Sequence, residues 1–207
     1  MEFAMGAPVL LTLGLGGMET ANMAMTHMQV SQIAMLVADN ASRVRTTIDE
    51  ADINEVFTGA ALTGDSIAFS DNARVILTSL EPNLMPAPKT GQWIRWQRCY
   101  GKKNYQSTYG NEGDGQYDAS IKDGIGPAGR KVAAQSATAV NFVEVVYEYA
   151  PIIGGMFLSD LKMQYDSAFV ARERDDQVLK NASNIPDNKK WLCNRYDTIA
   201  VDPNALN

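Results

Sequence analysis

The sequence predicts an α+β protein in which one long N-terminal helix packs on an antiparallel β-sheet. Two observations predict the helix: residues 3–18 carry no charged side chain, and apolar residues then recur at steps of three and four up to about residue 48. A third observation predicts the sheet. The rest of the chain contains short segments rich in β-branched and aromatic residues, bounded by Gly, Pro and Asn. Strands that follow helices, instead of alternating with them, favour the α+β class.

The first helix is predicted to run without a break from about residue 3 to about residue 48. No proline occurs between Pro8 and Pro82, and a helix of this length would be roughly 70 Å long. Its front half is apolar on all sides, whereas its rear half has a single apolar stripe. We therefore predict a membrane-anchor helix over residues 1–28 and an α+β head over residues 29–207 that includes the amphipathic half of the helix.

Three other interpretations of the apolar run stay open. It could be the apolar region of a signal peptide, a buried core helix of a soluble protein, or a single-span anchor with no role in assembly. Glu19 lies within the run and would be costly in lipid unless it faces protein or has a partner. His27 lies in a Met-rich stretch, and we interpret it as a packed residue and not as a metal ligand.

Composition excludes several functional classes. The net charge of −6 repels phosphate backbones, so we predict no binding to nucleic acid. The chain has one histidine and two cysteines without a CxxC motif, so we predict neither a zinc site nor any other metal or cofactor. Cys99 and Cys193 would form one disulfide in an oxidising compartment and would be two buried thiols in a cytosol.

The head is predicted to begin with a short helix after residue 48, capped by Asp49 and ended by Gly64. The three prolines Pro82, Pro86 and Pro88 predict a loop. The C-terminal tail is polar, and we expect it to wrap the domain and to be pinned by Cys193. Strands are predicted at residues 66–70, 73–80, 92–99, 140–149 and 166–174.

Residues 101–131 are rich in Gly, Asn, Asp, Lys and Tyr and predict a long surface loop. Glycines in this loop match GxGxxG, but no strand precedes them, so a nucleotide site is not predicted. A Ca²⁺ ion among the acidic residues of the loop stays an open alternative, although their spacing misses the EF-hand pattern. The residues concerned are Gly124, Gly126 and Gly129 for the first motif, and Asn111, Glu112, Asp114 and Asp118 for the second.

Catalysis has little support in the sequence, and we predict that the protein is not an enzyme and has no catalytic residue. No histidine is placed to serve a nucleophile. Glu144 and Glu148 fall on one face of a predicted strand, and we expect that face to be in solvent. Arg172 and Arg174 on the neighbouring strand are expected to pair with them across the sheet.

The opening EFAMGAPVLLTLGLGGMETANMA, together with the later segments VSQIAMLVADNASRVR, VILTSLEP, IRWQRCYG and FVEVVYEY, resembles the TadE-like minor pseudopilins of the tight-adherence (Flp-type, type IV) pilus system. The resemblance extends to about Arg174. It implies a pilin-like fold and a structural part in pilus assembly. It also implies that Glu2, Phe3 and Pro8 take part in helix contacts with a neighbouring pilin, where the Glu2 carboxylate would meet an N-terminal amine.

The resemblance also implies partners and a location. The partners would be other pilins and pseudopilins, the pilus assembly platform, inner-membrane lipid, and prepilin peptidase acting on a leader that the printed chain, starting at Met1, does not show. The protein would span the bacterial inner membrane once with its head in the periplasm, and its entry into the surface pilus stays open. The alternative is a membrane-anchored or secreted ligand-binding protein of the bacterial envelope that uses residues 101–131.

Overall fold

A computed structural model describes residues 2–87, 89–153 and 161–196, with side chains from Gly6 onward. A long N-terminal helix and an antiparallel sheet are both present, which confirms the α+β class. The helices are α1 (Glu2–Arg43), α2 (Glu50–Thr63) and α3 (Phe69–Asn72). The strands are β1 (Thr46–Asp49), β2 (Ala73–Leu84), β3 (Thr90–Tyr100), β4 (Val140–Glu148), β5 (Lys162–Val170) and β6 (Arg174–Lys180).

The main sheet has four antiparallel strands in the order β3-β2-β4-β5. A separate parallel pair joins β1 and β6. Helix α1 packs across β4 and β5, while α2 lies beside β3, where the ring of Phe57 stacks on Tyr100 at 5.7 Å. The layer between the helices and the sheet forms the larger of two hydrophobic cores.

Helix α1 ends five residues earlier than the sequence predicts. It stops at Arg43, and the buried guanidinium of Arg174 donates to the carbonyls of Ala41 at 2.5 Å and Val44 at 3.3 Å. A cation at this position favours the negative end of a helix. Thr46 then has φ of 63°, and the β-branched residues that follow pair with β6 as strand β1. The expected pairing of Arg174 across the main sheet is therefore wrong.

The predicted cap of α2 is confirmed, but one predicted strand is wrong. The Asp49 side chain accepts from the amide of Ala51 at 3.0 Å, the Asp52 carboxylate accepts from the amide of Asp49 at 2.8 Å, and Gly64 ends the helix. Residues 66–70, predicted as a strand, form parts of a 3₁₀ helix (Asp65–Ile67) and of α3. Phe69 anchors this turn because its side chain is fully buried.

The sheet is covered on both faces, which contradicts the expected solvent face of β4. Glu144 lies in β4 but is only 1% exposed, and the amide of Thr108 from the long loop donates to it at 2.8 Å. Pro82, predicted to be in a loop, lies in β2. Arg172 is close to Asp39 of α1 at 3.9 Å and makes no pair with Glu144.

Residues 101–131 form an irregular loop, as predicted, but part of this loop is buried. Ile121 and Ile125 are buried beneath the loop, where they pack with Phe142 and Leu80 of the sheet. A single bridge between Ile125 and Val132 closes the end of the loop. The loop therefore supplies the second hydrophobic core, on the face of the sheet opposite to α1.

Candidate assembly helix and its attachment to the head

The front half of α1 projects apolar side chains into solvent. Val9, Leu10, Leu11 and Leu13 expose 57–69% of their surface, although apolar groups of this size gain free energy when covered. Pro8 is also exposed and lies near the start of α1, where a missing backbone donor is tolerated.

Glu2 and Phe3 begin α1, and their side chains lie outside the described residues. The assembly role implied for these two residues and Pro8 therefore stays a prediction. Within the described residues, no helix combines the length and the apolar character that crossing a membrane requires.

Within the described residues, the first hydrogen bonds between α1 and the head are made by Glu19. This carboxylate is 3% exposed, and it accepts from the hydroxyl of Tyr149 at 2.5 Å and from the amide of Ile153 at 3.0 Å. The side-chain amide of Asn22 donates to the same hydroxyl at 2.7 Å. The polar partners that the sequence requires for Glu19 are thus provided by the segment that follows β4. The sequence predicts that Glu19, a charged residue in an apolar helix, needs a polar partner. It does not predict that this partner is Tyr149.

The rear half of α1 is fixed to the head by apolar packing and by polar contacts. Its apolar stripe enters the main core. Polar side chains then secure its flanks: His27 Nδ1 lies 2.6 Å from the Tyr165 hydroxyl, and Gln29 donates to the carbonyl of Thr63 at 2.7 Å. Near the end of the helix, buried Asn141 donates to the hydroxyl of Ser42 at 3.0 Å. The stripe consists of Val30, Ile33, Val37 and Ala41, all 0% exposed.

The predicted disulfide between Cys99 and Cys193 is present and joins β3 to the C-terminal tail. Next to it, the buried ring of Trp191 makes edge contacts with the rings of Tyr100 at 5.1 Å and Phe57 at 5.8 Å. The tail is therefore part of the folded head up to the last described residues.

Buried Arg74 of β2 also holds the C-terminal tail. Its guanidinium donates to the carbonyls of Cys193 and Arg195, each at 2.7 Å, and lies 4.5 Å from the ring centre of Tyr196. No carboxylate is within ion-pair distance of it among the described residues, and burial lowers the pKa of Arg74. The sequence alone does not reveal this contact, because an arginine in an alternating strand gives no sign of its partners.

Acidic side chains on the loop face of the sheet make hydrogen bonds and an ion pair within the head. Burial raises the pKa of Glu144, which also accepts from the hydroxyl of Ser107. Burial and a hydrogen bond to Asp166 raise the pKa of the Tyr109 hydroxyl. In the part of the chain that the structure describes, no three His, Cys, Asp or Glu side chains come together as a metal site. Glu112, considered above for Ca²⁺, instead pairs with Arg98 at 3.2 Å.

Comparison with known families matches residues 1–39 to the family described as "TadE-like protein". The N-terminal helix is TadE-like. The match covers nearly all of α1 and confirms the resemblance predicted from the opening residues. No curated protein and no solved structure matches the chain significantly.

The TadE-like match links the protein to the tight-adherence pilus system and, through it, to the cell envelope. It includes Glu2, Phe3 and Pro8, as well as Glu19 and the rear stripe as far as Val37. The matched segment therefore contains both the exposed front half of α1 and most of the part that the head holds.

Proposed function

We propose that the protein is a structural, non-enzymatic minor pseudopilin that takes part in assembly of a tight-adherence pilus. The observation that supports this role most strongly is the division of α1 at Glu19. Between Gly6 and Met18 most side chains are apolar and exposed, and from Glu19 onward the helix is held by the head. A rigid helix with an uncovered apolar end is suited to insertion among lipid tails or other apolar helices.

In this proposal the front half of α1 lies in the inner membrane and packs against the helices of other pilins or pseudopilins, while the head faces the periplasm. Glu2 pairs with the N-terminal amine of a neighbouring subunit, because a carboxylate and an ammonium in lipid each cost less as a pair. Phe3 and Pro8 lie beside it on the contacting helix. A disulfide in the head agrees with an oxidising compartment.

The proposal is tested in the native host with the gene expressed together with its upstream codons. Mass determination of the mature N-terminus and a count of surface pili are the two measurements. We expect a leader removed by prepilin peptidase and loss of pili on deletion of the gene. Release of a soluble head by signal peptidase, with pili unchanged, would contradict the proposal and favour the ligand-binding alternative.

The role of Glu2 is tested separately with a matched control. Glu2→Ala is expected to reduce pilus number strongly, while Glu2→Asp retains a carboxylate and partly restores it. Glu55→Ala removes an exposed carboxylate of α2 and is expected to leave pili unchanged. Equal pilus numbers in the Glu2→Ala and Glu55→Ala strains would exclude an assembly contact at Glu2.

A further inference from the structure

The face of α1 that points away from the head carries exposed methionines, even where the head holds the helix. Met25, Met28 and Met35 expose 62%, 63% and 46% of their surface. Met28 and Met35 each lie two residues before a fully buried valine, Val30 and Val37 respectively. Two residues correspond to a rotation of about 200° in an α-helix. The exposed methionines and the buried stripe therefore lie on opposite sides of α1.

The exposed residues on this face repeat with a period of seven. From Met25 to Met35 the steps are three, four and three residues, which is the spacing by which two helices pack side by side as a coiled coil. The same period extends back into the exposed front half of α1. We call the series the outer seam. It consists of Leu11, Met18, Met25, Met28, Gln32 and Met35, all of them exposed.

Charge is absent from the sequence along the rear part of the outer seam. No Asp, Glu, Lys or Arg occurs between Glu19 and Asp39. Asp39 comes after the last residue of the seam, and its carboxylate pairs with Arg43 at 2.7 Å. The seam therefore presents apolar surface that gains free energy when it is covered, with no charge to oppose the approach of another helix.

Gln32 is the only polar residue of the outer seam, and it decides which partner fits. A side-chain amide both donates and accepts hydrogen bonds, so two Gln32 side chains that meet across a two-fold axis satisfy each other. Against a wholly apolar helix the same amide would be buried without a partner, which is unfavourable. A single polar residue at such a position fixes the register of paired helices. The outer seam is thus complementary to itself in one register.

We infer that the outer seam pairs in parallel with the outer seam of a second copy of this chain, in register at Gln32. The inference deepens the proposed function and rests on it, because two front halves inserted from the same side of one membrane must be parallel. The head packs on α1 from the side opposite to the seam, so the two heads face outward and leave the helices free to meet. Helix α2 also packs on α1, and the two-fold axis places the two α2 helices on opposite sides of the pair.

Cross-linking at Gln32 tests the pairing in the membrane of the native host. With Cα atoms about 2.3 Å from each helix axis and axes 8–10 Å apart, opposed seam residues have Cα atoms roughly 5 Å apart, a distance that a disulfide can bridge. Gln32→Cys should therefore form a disulfide-linked dimer on mild oxidation. Asn40→Cys is the matched control, because Asn40 is exposed on the same helix but is turned about 80° away from Gln32. It should cross-link at least several-fold less.

The possible results separate this pairing from other contacts. Co-expression of two differently tagged copies identifies the partner, since a dimer of this chain can carry both tags. Equal cross-linking of the two cysteine variants, or a cross-link only to a different protein, would overturn the inference. Extraction with alkaline carbonate reports anchoring independently. Anchored chains with normal pili but no cross-link at Gln32 would overturn the inference alone, whereas chains released from the membrane would contradict the proposed function and the parallel pairing with it.

Charged replacements of Gln32 provide a second measurement, made by light scattering coupled to gel filtration on the full chain in a mild non-ionic detergent. Gln32→Glu and Gln32→Lys each place two like charges face to face and should weaken the dimer roughly tenfold. An equimolar mixture of the two variants brings opposite charges together and should recover it, while Asn40→Glu should have no effect. A monomeric wild type, or equal masses for all variants with unchanged circular dichroism spectra, would overturn the inference.

Discussion

Replacement of Arg98 by Met tests whether a buried ion pair holds α2 on the sheet. The guanidinium of Arg98 donates to the Glu50 carboxylate from Nε, at 3.1 Å to each oxygen, and from Nη2 at 2.6 Å. The two side chains are 10% and 4% exposed. Loss of the cation leaves a buried carboxylate without its counter-ion, which costs about 3–5 kcal/mol. The positive end of α2, where Glu50 lies in the first turn, offsets up to about 1 kcal/mol.

We therefore expect Arg98→Met to lower the free energy of unfolding by about 3 kcal/mol, measured by urea denaturation in detergent. The double variant Arg98→Met, Glu50→Met removes both charges and should recover much of the loss, because no lone charge stays buried. Arg43→Met breaks an exposed pair with Asp39 and should cost less than about 1 kcal/mol. If Arg98→Met costs no more than Arg43→Met, or if the double variant is the least stable of the three, the reasoning is refuted.

Three further perturbations test other parts of the head. Cys193→Ala opens a loop of 94 residues and should lower the free energy of unfolding by about 4–5 kcal/mol in urea, whereas a loss below about 1 kcal/mol would mean that the disulfide adds little. Burial raises the pKa of Glu144, so its contribution to stability is present below its ordinary pKa of about 4.3 and is lost as pH rises through the folded value. The unfolding free energy of the wild type, measured against Glu144→Gln, should therefore fall from about pH 4 upward, and a flat difference would contradict this. Tyr149→Phe removes the hydroxyl that donates to Glu19 and should speed amide exchange in residues 19–30. Tyr105→Phe removes a hydroxyl that donates to Glu148, which points to the opposite face of the sheet, and should not.

The pattern of apolar residues predicts helix α1 but not the residue at which it ends. Val44 and Ile48 continue the spacing of the rear stripe, so periodicity alone extends the helix through both residues. The helix ends at Arg43, and Arg174, more than a hundred residues away, donates to the carbonyls of Ala41 and Val44 on either side of that end. The β-branched pair Thr46 and Thr47 is the local sign of a strand, and the periodic spacing outweighed it in the prediction.

The burial of β4 shows the second limit of sequence patterns. The even spacing of Glu144 and Glu148 places both residues on one face of the strand, and we expected that face to be in solvent. VNFVEVVYEY is nearly continuous in apolar residues, which is typical of a strand covered on both faces. What covers the second face is a loop rich in Gly and polar residues, and its composition does not reveal that Ile121 and Ile125 turn inward. The Glu19 contact was missed for a similar reason, because Tyr149 is distant in sequence.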